Sequence, residues 1–453
     1  MAIVGQLMVI LDIAAVNVAS PTIRDSLGFS AAGVQWVASV YTVTFAGLLI
    51  VGGRLADVYG SRRVFAAGLA AFCLTSAAGG LATSQAMLIA ARGAQGCCAA
   101  VLSPATLTVI MTHLKGRQQN LAVGTWASMS GVGGGLGVFL GGVLTQTASW
   151  RWILFINVPI GAVTLAVAWL VLHRENAMTA WRQLDIWGGT TLTLAMLSLV
   201  FGIVEAGTGG WASRFALGGF AVAAIAAAAC WRIESHQARP VIPSWAVRDR
   251  TLFGTNVVLL MLYTVIIAPW FLLSFYMQTV LGFRPLTAGA GLLPQAVIIA
   301  VTAQAASWLA RRRDILVMSV CGPLLASAGM LVMWWEAAHV GRAGYLAAVL
   351  VPLVLLGLAV GLTLPAATTA AIQNSRVADA GLVSGLLNTS RQFGAALGLS
   401  IIYTAGTAHA DPAAGRHVPA GYAAAALTGA FIAIAAALIA VVFIRAAPSR
   451  AAE

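Results

Sequence analysis

Charge is what this sequence has least of. Acidic and basic side chains together make up 8% of its 453 residues, where soluble domains carry about 25%. A chain of this length would suffice for two or three soluble domains, but it has too few charges to surface them. Lysine is nearly missing, with Lys115 the single lysine among 25 basic residues, a bias that reflects coding composition rather than chemistry. Cysteine offers no framework either. Cys73, Cys97, Cys98, Cys230 and Cys321 all sit inside apolar runs without metal-ligand spacing, which excludes zinc and disulfide scaffolds and leaves them as small packing residues.

What fills the chain instead is apolar: 60% of the residues are hydrophobic, in long unbroken runs such as Val34 to Gly53 and Ala216 to Trp231. The low-dielectric solvent for such runs is lipid, where only helices or closed barrels satisfy every backbone polar group. Barrel strands read as alternating segments of about ten residues. These runs match helices of about 20 residues, so the expected fold class is an all-α polytopic membrane protein with the lipid bilayer as its partner. The net charge of +12 does not point to nucleic acid, because the basic residues form short clusters between apolar runs rather than one aromatic-interleaved patch. No cleavable signal peptide is expected, since the first apolar run begins at once without a basic leader.

Apolar runs separated by polar loops predict fourteen spans, at 3–23, 34–54, 64–83, 86–113, 121–145, 152–172, 186–206, 214–232, 252–281, 286–310, 315–337, 344–372, 380–406 and 421–445. The loops alternate in charge. Seventeen basic residues fall on one side, among them Arg62, Arg63, Lys115, Arg182, Arg248 and Arg313, against six on the other: Arg24, Arg151, Arg214, Arg284, Arg342 and Arg416. The positive-inside rule makes the first side cytoplasmic and, with an even span count, puts both termini there.

Two segments repeat. Ser103-Pro104-Ala105-Thr106-Leu107-Thr108 in span four matches Leu364-Pro365-Ala366-Ala367-Thr368-Thr369 in span twelve, and Arg54-Leu55-Ala56-Asp57 after span two matches Trp308-Leu309-Ala310-Arg311 after span ten. Parallel halves of six spans explain both, with the substrate site between them at mid-membrane. The expected organisation is an N-terminal bundle at 1–172, two inserted helices with their loops at 173–250, and a C-terminal bundle at 251–453.

The loop after span two reads Gly53-Arg54-Leu55-Ala56-Asp57-Val58-Tyr59-Gly60-Ser61-Arg62-Arg63. Its glycines permit a tight turn, Asp57 suits the N-terminus of a helix, and Arg62 and Arg63 anchor the cytoplasmic face. With this spacing the chain resembles the major facilitator superfamily, although Val58 stands where the superfamily has a basic residue. Leu11-Asp12-Ile13-Ala14 through Asn17, Ser20 and Pro21, Arg92-Gly93-Ala94-Gln95-Gly96, Trp150 through Gly161, Tyr276-Met277-Gln278 with Gly282, Pro285, Gly289 and Pro294, and Gly385 through Gly394 resemble its fourteen-span drug/proton antiporter family. Span five keeps that family's small residues at Gly131, Gly135, Gly137, Gly141 and Gly142, which let helices approach closely, but Val138 replaces its proline. The resemblance covers nearly the whole chain. It implies a major facilitator fold of two six-helix bundles plus two extra central helices, and it places a gating contact of Asp57 near Asp379 and Ala380.

Asp12 and Arg92 are the charges deepest in the N-terminal half. A charge at the bilayer centre costs about 2.5–3.5 kcal/mol, so both are expected to face the bundle interior or water, and such groups are functional sites by default. Asp12 can carry a proton, whereas Arg92 cannot release one near neutral pH but can approach and leave the acid. A structural ion pair is the alternative. The resemblance implies coupling and substrate-charge sensing for Asp12 and proton relay for Arg92. Asp12→Asn is expected to ease membrane insertion while abolishing coupling. Arg391 is the third buried charge, either functional, or placed near a helix end or paired with Gln392. Glu205 and Glu336 are expected at solvated helix ends. Trp36, Tyr41, Trp126, Trp270 and Phe275 line either a substrate path or packed interfaces.

No Gly-x-x-x-x-Gly-Lys-Ser/Thr loop cradles a phosphate, and no Ser-His-Asp or metal constellation stands out. The expectation is a secondary transporter and not an enzyme, with no cofactor, acting as a monomer in the bacterial plasma membrane. It would export small amphipathic substrates in exchange for protons. Its alternatives are a dedicated exporter of one metabolite or lipid and a transport-inactive sensor, the latter disfavoured by the presence of both Asp12 and Arg92.

Overall fold

The computed structural model of the chain describes residues 1–29, 33–171, 186–237, 243–283, 285–309, 314–337, 344–373, 379–408 and 419–444. These residues are helical, with no strand among them. The apolar runs become α1 (Ala2–Leu27), α2 (Gln35–Tyr59), α3 (Ser61–Gly80), α4 (Gln85–His113), α5 (Gly116–Thr147), α6 (Arg151–Phe155), α7 (Asn157–Val171), α8 (Ile186–Gly209) and α9 (Arg214–Glu234). After the short α10 (Ser244–Arg248) come α11 (Arg250–Thr279), α12 (Pro285–Leu309), α13 (Asp314–Trp335), α14 (Val351–Gln373, entered through a π-helical turn at Leu346–Leu350), α15 (Ala380–Ala408) and α16 (Pro419–Phe443).

Local chemistry sets the ends of these helices. Ser84, Ser213 and Asp249 cap α4, α9 and α11 by accepting from the amides of Met87, Ala216 and Leu252 at 3.2, 3.1 and 2.9 Å. Gly60, at φ 89°, turns the chain between α2 and α3 in a conformation that side chains rarely adopt. The sixth apolar run is not one rod. It breaks at Ile156 into α6 and α7, because Pro159 has no N–H for the carbonyl of Phe155.

Among the described residues, with α6 and α7 taken as one, fourteen long rods correspond to the fourteen expected spans. Twelve are long and apolar enough to cross a membrane. The other two are α5, whose apolar stretch Val132–Thr147 is shorter, and α15.

The chain divides into two compact units. Unit 1 holds Met1–Lys115, Met129–Ile242 and Ala378–Thr389, and unit 2 holds Gly116–Ser128, Pro243–Val377 and Ser390–Glu453. In unit 1, α4 packs on α1, α2 and α3, and α3 packs on α6 and α7. In unit 2, α14 packs on α11, α12 and α13, and α13 packs on α16. The two copies of the proline-containing repeat, at 103–108 and 364–369, therefore lie on α4 and α14, helices with the same packing role. Pro104 and Pro365 both sit inside their helices. Ala310 and Arg311 of the second repeated loop lie outside the described residues. The α8–α9 pair packs onto α2 and belongs to unit 1.

Candidate functional site

Asp12 and Arg92 meet inside unit 1. Both are buried, at 0% and 1% exposure, and Arg92 Nη1 donates to Asp12 Oδ2 at 2.5 Å. The pair is part of a larger polar network. Gln95, one turn after Arg92 on α4, accepts from Arg92 Nη1 at 2.6 Å and donates through Nε2 to Asp12 Oδ1 at 3.0 Å. Asn157, the first residue of α7, donates to the same Oδ1 at 3.1 Å and to Ser76 Oγ of α3 at 3.0 Å. Ser76 in turn donates to the carbonyl of Leu154 at 2.8 Å. Arg92 Nε donates to the carbonyl of Val37 at 3.3 Å, and the guanidinium lies 4.3 Å from the Tyr41 ring centre. Asp12 thus accepts three hydrogen bonds from three side chains.

The surroundings are dry. Leu11, Val37, Leu88, Ile153 and Leu154 belong to one apolar cluster beside these groups, where low polarisability strengthens each polar contact and makes any loss costly. The Tyr41 hydroxyl is buried and has no hydrogen-bond partner among the described residues. Small residues bring α1 close to α5. A methyl group on Gly133, Gly137 or Gly141 would run into Ile10, Leu11 and Ala14, or Ala15. Gly135 and Gly142 are buried as well, and Gly131 lies in the same helix.

The C-terminal end of α2, which the sequence suggested was a loop, is helical through Tyr59 and makes a second constellation. Asp57 accepts from the amides of Gly381 and Leu382 at 2.7 and 2.9 Å, capping the start of α15. Arg54 pairs with Asp379 at 3.3 Å. Gly53 and Gly381 let the two backbones touch, since a Cβ on either would enter the other's carbonyl. Arg62 donates to the carbonyl of Trp169 at 3.2 Å and lies over its ring, while Arg63 is exposed.

In unit 2, Arg391 is 6% exposed and lies 4.8 Å from the Tyr263 ring centre, an arginine on tyrosine as in unit 1. It is in the body of α15, not at a helix end. Glu336 departs from the expected solvated position: it is half-buried, with Oε2 shielded from solvent and without a hydrogen-bond partner among the described residues. Glu205 is half-buried too. Among the aromatics, Tyr41 and Trp126 are core residues, Trp36 stacks on Phe201, and Trp270 donates to Gln295. The side chain of Phe275 lies outside what is described.

Gln95, Asn157 and Ser76 were not singled out as site residues in the sequence. Gln95 and Asn157 lie inside the sequence motifs of α4 and span six, and a polar residue in an apolar run is the available signal. No cluster of metal-ligating side chains occurs among the described residues.

The sequence model of the Major Facilitator Superfamily matches residues 2–399. The chain belongs to the major facilitator superfamily. This transporter is 37% identical over 414 residues to a cephamycin export protein of Amycolatopsis lactamdurans, covering 89% of this chain and 83% of that one. It is 32% identical over 409 residues to a puromycin resistance protein of Streptomyces alboniger, covering 89% and 80%. It is also 32% identical over 401 residues to a lincomycin resistance protein of Streptomyces lincolnensis, covering 88% and 82%. The fold matches the human organic anion transporter MFSD10 with a TM-score of 0.71 at 15% identity, over 97% of both chains. It matches the proton:xylose symporter XylE with a TM-score of 0.68 at 12% identity, over 98% and 94%. The superfamily expected from the motifs is the one matched, and this transporter is a multi-pass membrane protein, not an enzyme.

Proposed function

We propose that the protein exports amphipathic, antibiotic-like small molecules in exchange for protons, by alternating access between two six-helix halves, 1–172 and 251–453, with α8 and α9 inserted. It works as a monomer in the bacterial plasma membrane with both termini cytoplasmic. The observation that carries this reading is the buried Asp12–Arg92 pair. A buried carboxylate is expensive in the bilayer, and this one is held by three donors, one of which carries a fixed positive charge. Protonating Asp12 releases the arginine's counter-charge, which gives a proton a means of changing the site. Asp57, Arg54 and Asp379 at the start of α15 supply a gate that can open and reseal.

The experiment is proton-driven uptake into inverted vesicles, with puromycin, lincomycin and a cephamycin as probes. Export by the wild type and none above background by Asp12→Asn supports the reading. Undiminished accumulation by Asp12→Asn places the coupling acid elsewhere. A second reading is favoured by the relatives, several of which carry the name of one antibiotic: a dedicated exporter of one compound. Transport of a single probe, with no competition from the others, selects it.

A further inference from the structure

The break between α6 and α7 lies one residue from a side chain that touches Asp12. We infer that Asn157 and Ser76 are positioning residues that carry the ionisation state of Asp12 to this elbow, so that proton binding resets span six. The inference rests on the reading of Asp12 as the proton carrier and adds the route by which its charge acts on the backbone.

The hydrogen bonds diverge from Asn157. Asn157 Nδ2 has two hydrogens, one donated to Asp12 Oδ1 at 3.1 Å and one to Ser76 Oγ at 3.0 Å. The Ser76 hydroxyl accepts from Asn157 and donates to the Leu154 carbonyl at 2.8 Å. All three residues are buried: Asp12 at 0%, Ser76 at 0% and Asn157 at 1% exposure. The bond from Asn157 to Asp12 ends on a carboxylate, and hydrogen bonds to a charged acceptor are about twice as strong as neutral ones. Protonation removes that charge and weakens this one bond, which loosens the anchor of Asn157 at the first residue of α7 while its bond to Ser76 remains.

The elbow is where such a change is felt. Pro159 withholds a donor from Phe155, so the helix has already lost a backbone bond there. Among the described residues its side-chain ties to α3 are Asn157 to Ser76, Ser76 to Leu154 and Cys73 Sγ to the Asn157 carbonyl at 3.3 Å. Close packing holds the rest, with Gly80 under Phe155 and Gly161 against Cys73.

Few other ionisable groups compete. Arg92 on α4 bonds Asp12 directly, and Tyr41 on α2 lies against Arg92. Arg151 on α6 reaches away to the carbonyl of Ala82, and Cys73 is the group of α3 that faces Asn157. α7 has no ionisable residue, and α5 has only Arg117, at its start.

Two readouts on the full transporter in nanodiscs test the inference. Infrared titration follows the carboxyl band that Asp12→Asn removes. Hydrogen exchange of residues 151–161, corrected for the intrinsic pH dependence of exchange, follows the elbow. In the wild type, elbow exchange is expected to rise with the same midpoint as Asp12 protonation. Ser76→Ala, the milder change, leaves every donor on Asp12 and is expected to abolish the pH response of the elbow while the carboxyl still titrates. Asn157→Ala is expected to do the same. An elbow that follows the carboxyl unchanged in both variants overturns the inference. So does a silent elbow in a wild type whose Asp12 titrates, and this failure leaves the proton-carrier reading standing. If no Asp12 band titrates and Asp12→Asn still exports against a gradient, the underlying reading fails and the inference with it.

Discussion

Arg92 decides what any change at Asp12 means. Considered alone, Asp12 is an expensive buried charge, and its removal as Asp12→Asn should ease insertion. The structure reverses that sign, because Asp12 is the carboxylate bound to a guanidinium with 1% exposure. Removing one member of a buried pair leaves the other uncompensated, at a cost of about 3–5 kcal/mol, whereas replacing both by apolar groups of similar volume is often neutral or stabilising. Asp12→Asn is therefore expected to lower the melting temperature of the detergent-purified protein. Adding Arg92→Met should restore much of the loss, and neither variant should export uphill. Thermal scans of wild type, single and double variants give the test. A single variant as stable as the wild type would mean that Gln95, Asn157 and the Val37 carbonyl suffice to hold the arginine, and the ion pair would lose its structural weight.

At the scale of elements, the contact that matters most is between one side chain and one helix end. Asp57 closes two of the orphan amides at the start of α15, a cap worth about 0.5–2 kcal/mol. Asp57→Ala is expected to leave the yield of folded protein unchanged, since Arg54–Asp379 and the Gly53–Gly381 approach remain. Exchange at the Gly381 and Leu382 amides should rise and export should fall. Wild-type protection at these amides in the variant would remove Asp57 from the gate. That Asp57 suits a helix N-terminus was legible in the sequence, whereas the start of α15 as its partner was implied only by the family resemblance. The face of α5 that meets α1 could not be singled out in the same way. The glycines of span five mark a close approach, but that Gly133, Gly137 and Gly141 are the ones against α1 is fixed only by the neighbour's position. The same holds for the Asp12 network: Gln95, Asn157 and Ser76 come from three helices, and a period of 3.6 residues assigns each a face but not the partner opposite it.

For the whole molecule, hydropathy was enough to place fourteen rods, because lipid leaves the backbone no alternative to the helix. The interruption of span six was less visible, because Pro159 in an apolar run is compatible with either a kink or a helix start. The topology of α8 and α9 remains to be tested by charge and position. Both are apolar enough to cross, at Trp187–Ala206 and Arg214–Glu234. Since they come as a pair, the loops before and after them fall on one side whether or not they cross. Reporter fusions after Arg182 and after Arg248 are accordingly expected to report the cytoplasm, and an external signal at either breaks the charge-based topology. These two fusions leave the hairpin itself undecided. A third, after Gly210 between the two helices, separates the cases. The fourteen-span arrangement puts it outside, where the basic residues are few, and a hairpin lying along the inner surface puts it in the cytoplasm. Exposed apolar side chains favour the crossing: Leu194, Leu217 and Ile225 are 48%, 55% and 71% exposed on these helices, a surface that lipid covers and water would not tolerate. An active phosphatase fusion and an inactive fluorescent-protein fusion at Gly210 are the expected pair of results, and the opposite pair would reduce the molecule to twelve spans with a surface hairpin.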